Sequence, residues 1–182
     1  MKHALKILIS ASFIYNFAAG MLGPIYAIFV MNIGGNILDA GIAWAIYAFA
    51  IGIATFIFSR YEDNMSKEKI IVAGYGLIAV GFFAYYFVDT IIQLFIVEMF
   101  FGVITAFHDP AWEAFFSEKI TRKKSAAEWG NWEAGKYIAI GAAALIGSYV
   151  ATGYGFKTLF IIMGGVAAIS AIVSYMLLKK KS

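Results

Sequence analysis

The chain has no cysteine, only two prolines in 182 residues, and charged side chains at only 14%. Without cysteine there is neither a disulfide framework nor a thiolate metal site. With prolines at positions 24 and 110 alone, little interrupts long apolar runs. The shortage of charge argues against an ordinary soluble domain, which is about one-quarter charged and 45–50% apolar. Here 62% of residues are hydrophobic and mean hydropathy is +0.80. One compact core of this length could not hide so much apolar surface, so lipid must solvate much of the chain. The net charge of +3 does not point to nucleic acid. The basic residues form short caps between apolar runs rather than one soluble face.

Six stretches reach the roughly 20 apolar residues needed to cross a bilayer, at about 7–31, 38–59, 70–88, 90–116, 133–152 and 158–178. They are too long for barrel strands and do not alternate, so the expected fold is all-α, a single bundle of six transmembrane helices over 1–182. Lys2 and Lys6 open the first run in the manner of a signal peptide. That run continues to about Met31 with no A-x-A site, so it reads as a spanning helix. With ends and loops assigned alternately to the two sides, one side receives twelve of the fourteen basic residues. Lys157 falls opposite and Lys136 lies inside the fifth run. The positive-inside bias places both termini in the cytoplasm of a multi-pass cell (plasma or inner) membrane protein.

An ionisable side chain at mid-bilayer costs at least about 2.5 kcal/mol and usually faces the bundle interior or a wet cavity. In the fourth run, Glu98, Gly102, Thr105, Asp109 and Glu113 follow at spacings of 4, 3, 4 and 4. At about 100° per residue they share one narrow stripe. The stripe reads either as a buried polar seam or as the lining of a substrate or proton path, with Glu98 the sharper candidate. Lys136 opens the fifth helix and would pair with Asp109 or Glu113, or snorkel to the headgroups on its long stem. Ser12, Asn16, Gly20 and Gly23 share a face of the first helix, which Pro24 should bend. Asn16 is therefore a further path candidate, although small residues there equally serve close packing. Gly135, Ala139, Ala143, Gly147 and Ala151 form a small-xxx-small seam, a packing feature within the bundle or between two copies. His108 beside Asp109 lacks the further ligands a metal needs, and no hydrolase, metalloprotease or phosphate-loop spacing occurs. Neither metal, cofactor nor enzymatic activity is expected.

Between the second and third runs, Ser59 to Lys69 occupies the place of the G-x-L-A-D-R-x-G-R-R loop of the major facilitator superfamily. Asp63, Lys67 and Lys69 keep its acidic and basic character, while serine replaces both glycines and Asn64 replaces the arginine. Gly102, Asp109-Pro110-Ala111, Ala114, Glu118, Arg122 to Ala126, Gly141, Leu145 and Gly147 resemble that family's fourth and fifth helices. Gly155-Phe156-Lys157-Thr158-Leu159-Phe160 resembles its G-W-R-x-x-F segment. Over nearly its whole length the chain is similar to one six-helix half of such a transporter. The resemblance implies a substrate cavity bordered by the first and fourth helices. It also implies a gating role for Asp63 and Lys67, with Glu98 as a candidate carrier of coupling protons.

Members of the family normally have two such halves with the site at their interface. The resemblance therefore implies a second copy paired about a two-fold axis, a complementary half, or an inactive fragment. The leading expectation is a membrane transporter that moves a small solute by alternating access. The competing one is a non-transporting membrane subunit or assembly factor, in which the stripe is only a seam. Uptake that depends on pH and is lost in Glu98→Gln would distinguish the first from the second.

Overall fold

The computed structural model describes residues 2–62 and 65–180, and every regular element among them is helical. The first predicted span is interrupted. Helix α1 (Lys2–Gly20) ends before a 3-10 turn at Gly23–Ile25, and α2 (Tyr26–Asn32) resumes beyond it. Pro24 sits in that turn, where its missing N–H and fixed φ suit a helix start. The consequence exceeds the expected bend, because the break gives Tyr26 a direction of its own.

The next three spans are α3 (Ile37–Glu62), α4 (Lys67–Tyr85) and α5 (Ile91–Lys119). Their starts are specified locally. Asn36 Oδ1 accepts from the backbone of Leu38 and Asp39 at the head of α3. Thr90 and Gln93 form a reciprocal capping box on α5. Pro110 lies inside α5, where it leaves the Ala106 carbonyl without its intrahelical donor.

The fifth and sixth spans run on without an intervening loop as α6 (Ser125–Tyr175), one of five long apolar stretches among the described residues, and it comprises two helices joined at a kink. A straight helix of 51 residues would run roughly 77 Å, more than twice a hydrocarbon core. It is not straight: Gly155 has φ +81° and ψ 167°, outside the helical region and open mainly to glycine. The contacts show the reversal. Trp132 reaches Ser12 and Gly147 abuts Met21, after which Phe160 meets Phe29 and Ser170 donates to the Ala11 carbonyl. The arm before Gly155 thus climbs along α1, and the arm after it descends. Those contacts bring the end of α6 back beside the first half of α1. Lys157 pairs with Asp89 at 3.0 Å and ties this reversal to the α4–α5 connection.

The small-residue seam of α6 faces α1, within the bundle. A Cβ on Gly135 would collide with the Phe13 ring, and one on Gly147 with the Met21 carbonyl, while Ala143 is fully buried. Helix α4 packs between α5 and α6, with Ile71, Tyr75, Ile78 and Phe82 in the core. Helix α3 leans on α5, where Gly102 lets the backbones approach at Tyr47 and Ala50. It turns Phe49, Ile53 and Phe56 outward. A soluble protein rarely exposes such a surface, and lipid covers it without penalty.

Candidate functional site: two cavities along one groove

The polar stripe of α5 opens into two cavities rather than one. The first, about 260 Å³, lies among α1, α2, α3, α4 and α5, with Met163 of α6 also in its wall. Glu98 stands in its wall, 6% exposed. Tyr26 Oη donates to Glu98 Oε1 at 2.5 Å, and Tyr85 Oη donates to the same oxygen at 2.6 Å. The break at Pro24 aims the first phenol. The second comes from the last turn of α4, held by stacking on Phe160 at 5.2 Å. Tyr15, Trp44, Tyr47, Phe82 and Phe101 complete an aromatic enclosure. Thr105 also lines it, 3.5 Å from the Tyr47 hydroxyl. Among the described residues that line this cavity there is no lysine or arginine.

The second cavity, about 240 Å³, lies nearer the end where α1 begins. Tyr15 borders both, so the two form one groove. Asn16, Asp109, Glu113 and Lys136 line the second, with Ser12 and Trp132 beside them. Ser12 Oγ accepts from Trp132 Nε1 at 3.1 Å and from Asn16 Nδ2 at 3.2 Å. His108 Nδ1 lies 2.9 Å from Asp109 Oδ1. Tyr75 Oη, His108 Nε2 and Trp112 Nε1 are buried in this wall without a hydrogen-bond partner. Trp44 on the first cavity and Asp109 and Glu113 on the second are exposed, so the groove reaches the bundle surface.

Six sequence candidates therefore fall on one groove. Glu98 and Thr105 line the first cavity, and Asn16, Asp109, Glu113 and Lys136 line the second. Gly102, on the same stripe, instead serves the crossing with α3. Lys136 does not take Asp109 or Glu113 as its partner. Its Nζ pairs with Glu133 Oε1 at 2.8 Å, one turn back, and lies over the rings of Trp132 and Tyr137. A partner on its own helix needs no interhelical geometry, which explains the preference. Lys67 lies outside both cavities and reaches Glu118 Oε1 near the end of α5 at 2.6 Å. Asp63 lies outside the described residues. No group of three histidine or acidic side chains that could hold a metal occurs among the described residues.

Sequence patterning missed the tyrosines. A hydroxyl within an apolar span must find a partner, so Tyr26 and Tyr85 carried a signal in principle. Nothing in the spacing showed that their partner would be Glu98, 72 and 13 residues away.

Residues 8–182 match the family model of the Major Facilitator Superfamily. An uncharacterized MFS-type transporter of Methanocaldococcus jannaschii is 28% identical over 160 residues, 88% of this chain and 42% of the relative. Multidrug resistance protein MdtG of Klebsiella pneumoniae is 25% identical, covering 93% of this chain and 42% of its own length. The same protein from Yersinia enterocolitica is 23% identical, with coverages of 92% and 42%. The chain thus spans under half the length of these relatives.

Proposed function

This chain belongs to the Major Facilitator Superfamily, and on that premise we propose that it supplies one half of a transporter moving a small organic cation across the cell membrane by alternating access. The observation that carries the reading is Glu98, a buried acidic group inside an aromatic enclosure. Aromatic faces attract a cation, most strongly when it is desolvated. A carboxylate within the same walls adds a counter-charge in a medium of low dielectric. The absence of lysine and arginine from the described lining removes competition for that carboxylate. Tyr26 and Tyr85 both hold Oε1, which fixes the orientation of the group relative to the cavity. The groove reaches the surface, and a second copy or a complementary half would close it. The cytoplasmic placement of both termini rests on the charge bias of the loops. Protons that exchange with the solute at Glu98 would make the transport secondary active.

The saturation of Glu98 Oε1 by two phenols also favours the second reading, in which the stripe is a packing seam of a non-transporting subunit. One experiment separates them. The purified chain is reconstituted in liposomes, alone and with any co-purifying partner, and uptake of tetraphenylphosphonium is compared with that of a neutral aromatic of similar size. Saturable uptake of the cation, lost in Glu98→Gln, supports transport. Uptake equal in wild type, Glu98→Gln and empty liposomes overturns it. Cross-linking in native membranes then tells a homodimer from a pair of unlike halves.

A further inference from the structure

We propose that the connection between α5 and α6 is a docking site for the headgroup of an anionic glycerophospholipid. The observation is a block of uncompensated positive charge. Lys119, Arg122, Lys123 and Lys124 fall within six residues, and no acid occurs from Lys119 to Ala127. The two acids that flank the block are already engaged. Glu118 Oε1 holds Lys67 Nζ at 2.6 Å, and Glu128 Oε2 accepts from the Thr121 backbone at 3.2 Å. None of the four basic side chains joins an ion pair among the described residues. Lys119 Nζ instead lies 4.5 Å over the Phe115 ring. Arg122–Lys124 form a 3-10 turn, and all three are exposed. At a rise of about 2 Å per residue, their side chains leave the backbone within one turn.

Aromatic packing sets the depth of that turn. Three of the four tryptophans, Trp112, Trp129 and Trp132, stand together at this end within 6.4 Å ring to ring. Phe116 stacks on Trp112 at 5.1 Å and extends the cluster. Tryptophan concentrates at membrane–water interfaces, so the cluster holds this end of the bundle at headgroup level. Trp129 follows Lys124 by only about 7.5 Å along α6, which leaves the basic turn among the headgroups. Lysines and arginines beside a spanning helix attract anionic lipid, each worth about fivefold. A free phosphate would be held here by exposed side chains alone, an attraction that salt screens. A lipid headgroup is already confined to this depth by its acyl chains, so the same charges hold it at less cost in freedom. Lys6 and Lys69 are also exposed near this end, but outside the turn, and they serve as the internal control.

The test uses the full chain with Trp44→Phe as background, reconstituted in phosphatidylcholine bilayers. All remaining tryptophans then report on this end of the bundle. Small fractions of brominated phosphatidylglycerol or brominated phosphatidylcholine are added, and quenching of tryptophan emission is read. The expected result is half-maximal quenching at a mole fraction at least about tenfold lower for phosphatidylglycerol. Arg122→Gln, Lys123→Gln and Lys124→Gln combined should reduce that preference at least about fivefold. Lys6→Gln with Lys69→Gln should change it less than about twofold. Salt at about 1 M, where the Debye length is about 3 Å, should bring it close to unity. Thermal unfolding checks that the variants fold; should the combined one fail, the three single variants, each lowering the preference about twofold or more, carry the test. Equal quenching by the two lipids, or a preference that salt leaves unchanged, would overturn the proposal. So would an equal loss in the Lys6 and Lys69 variant, which would make the preference a property of the whole face. Relief of quenching by inorganic phosphate at constant ionic strength would assign the turn to a free anion and overturn lipid docking. Tetraphenylphosphonium uptake is read separately, so failure here leaves the Glu98 reading standing.

Discussion

The two cavities sit on one helix stripe and share Tyr15, yet they treat polar groups in opposite ways. Around Glu98, two phenols converge on one oxygen and the remaining wall is aromatic. Around His108, exposed acids and a lysine surround three polar atoms that nothing satisfies. A hydrogen bond in a dry interior is strong when made and costly when missing. The first cavity is thus preorganised around its own charge, whereas the unpartnered atoms of the second lie beneath its wall with almost no accessible surface. Equal spacing along a helix does not make equal chemistry. The neighbouring helices decide it.

The sharpest way to break this contrast is to remove each acid in turn. Glu98→Gln should lower cation uptake at least about thirtyfold, the scale of removing one charge of a buried pair. Glu113→Gln, on an exposed side chain, should change it less than about threefold. Uptake assays on the two variants together check the ordering, and equal losses would erase the distinction between the cavities.

Packing beneath both cavities should give the next largest effect. Gly147→Ile drives a side chain into the Met21 carbonyl on α1 and should destabilise the protein by about 1–3 kcal/mol. Gly141→Ala, on the open side of the same helix, should remain within about 0.5 kcal/mol. Thermal unfolding in detergent reads both.

Hydroxyl deletion sharpens the comparison directly. Tyr85→Phe removes a donor to Glu98 and should destabilise by about 1.5 kcal/mol. Tyr75→Phe removes a hydroxyl with no partner within hydrogen-bond geometry and should be neutral or stabilising by up to about 1 kcal/mol. Denaturation curves for the two would invert this order if the second cavity were already satisfied. The smallest effect serves as the baseline. Lys157→Ala breaks an exposed pair with Asp89 and should cost less than about 1 kcal/mol on the same curves.

Much of the fold could be read in advance, because crossing a bilayer imposes a length on every apolar run and lipid leaves the backbone no alternative to helix. All six predicted spans correspond to separate helical passages, the last two being the arms of α6 on either side of Gly155, and Pro24 marked where the first would break. The boundary between the last two was also visible, at Gly155, but only as a short polar gap. That a positive φ would reverse the chain there depends on contacts to α1 and α4. For the candidate site, burial energetics picked out Glu98, Asp109 and Glu113 from their apolar neighbours.

The amino-acid sequence by itself determined that this is a membrane helical bundle and which acidic groups had to avoid lipid, since both follow from transfer energies summed along one chain. Only the tertiary structure decided that Glu98 would be held by Tyr26 and Tyr85 while Tyr75, His108 and Trp112 stayed unpartnered. Hydrogen bonds act over about 3 Å and depend on angle, so pairing across helices is fixed by how those helices pack, which no spacing within one of them encodes.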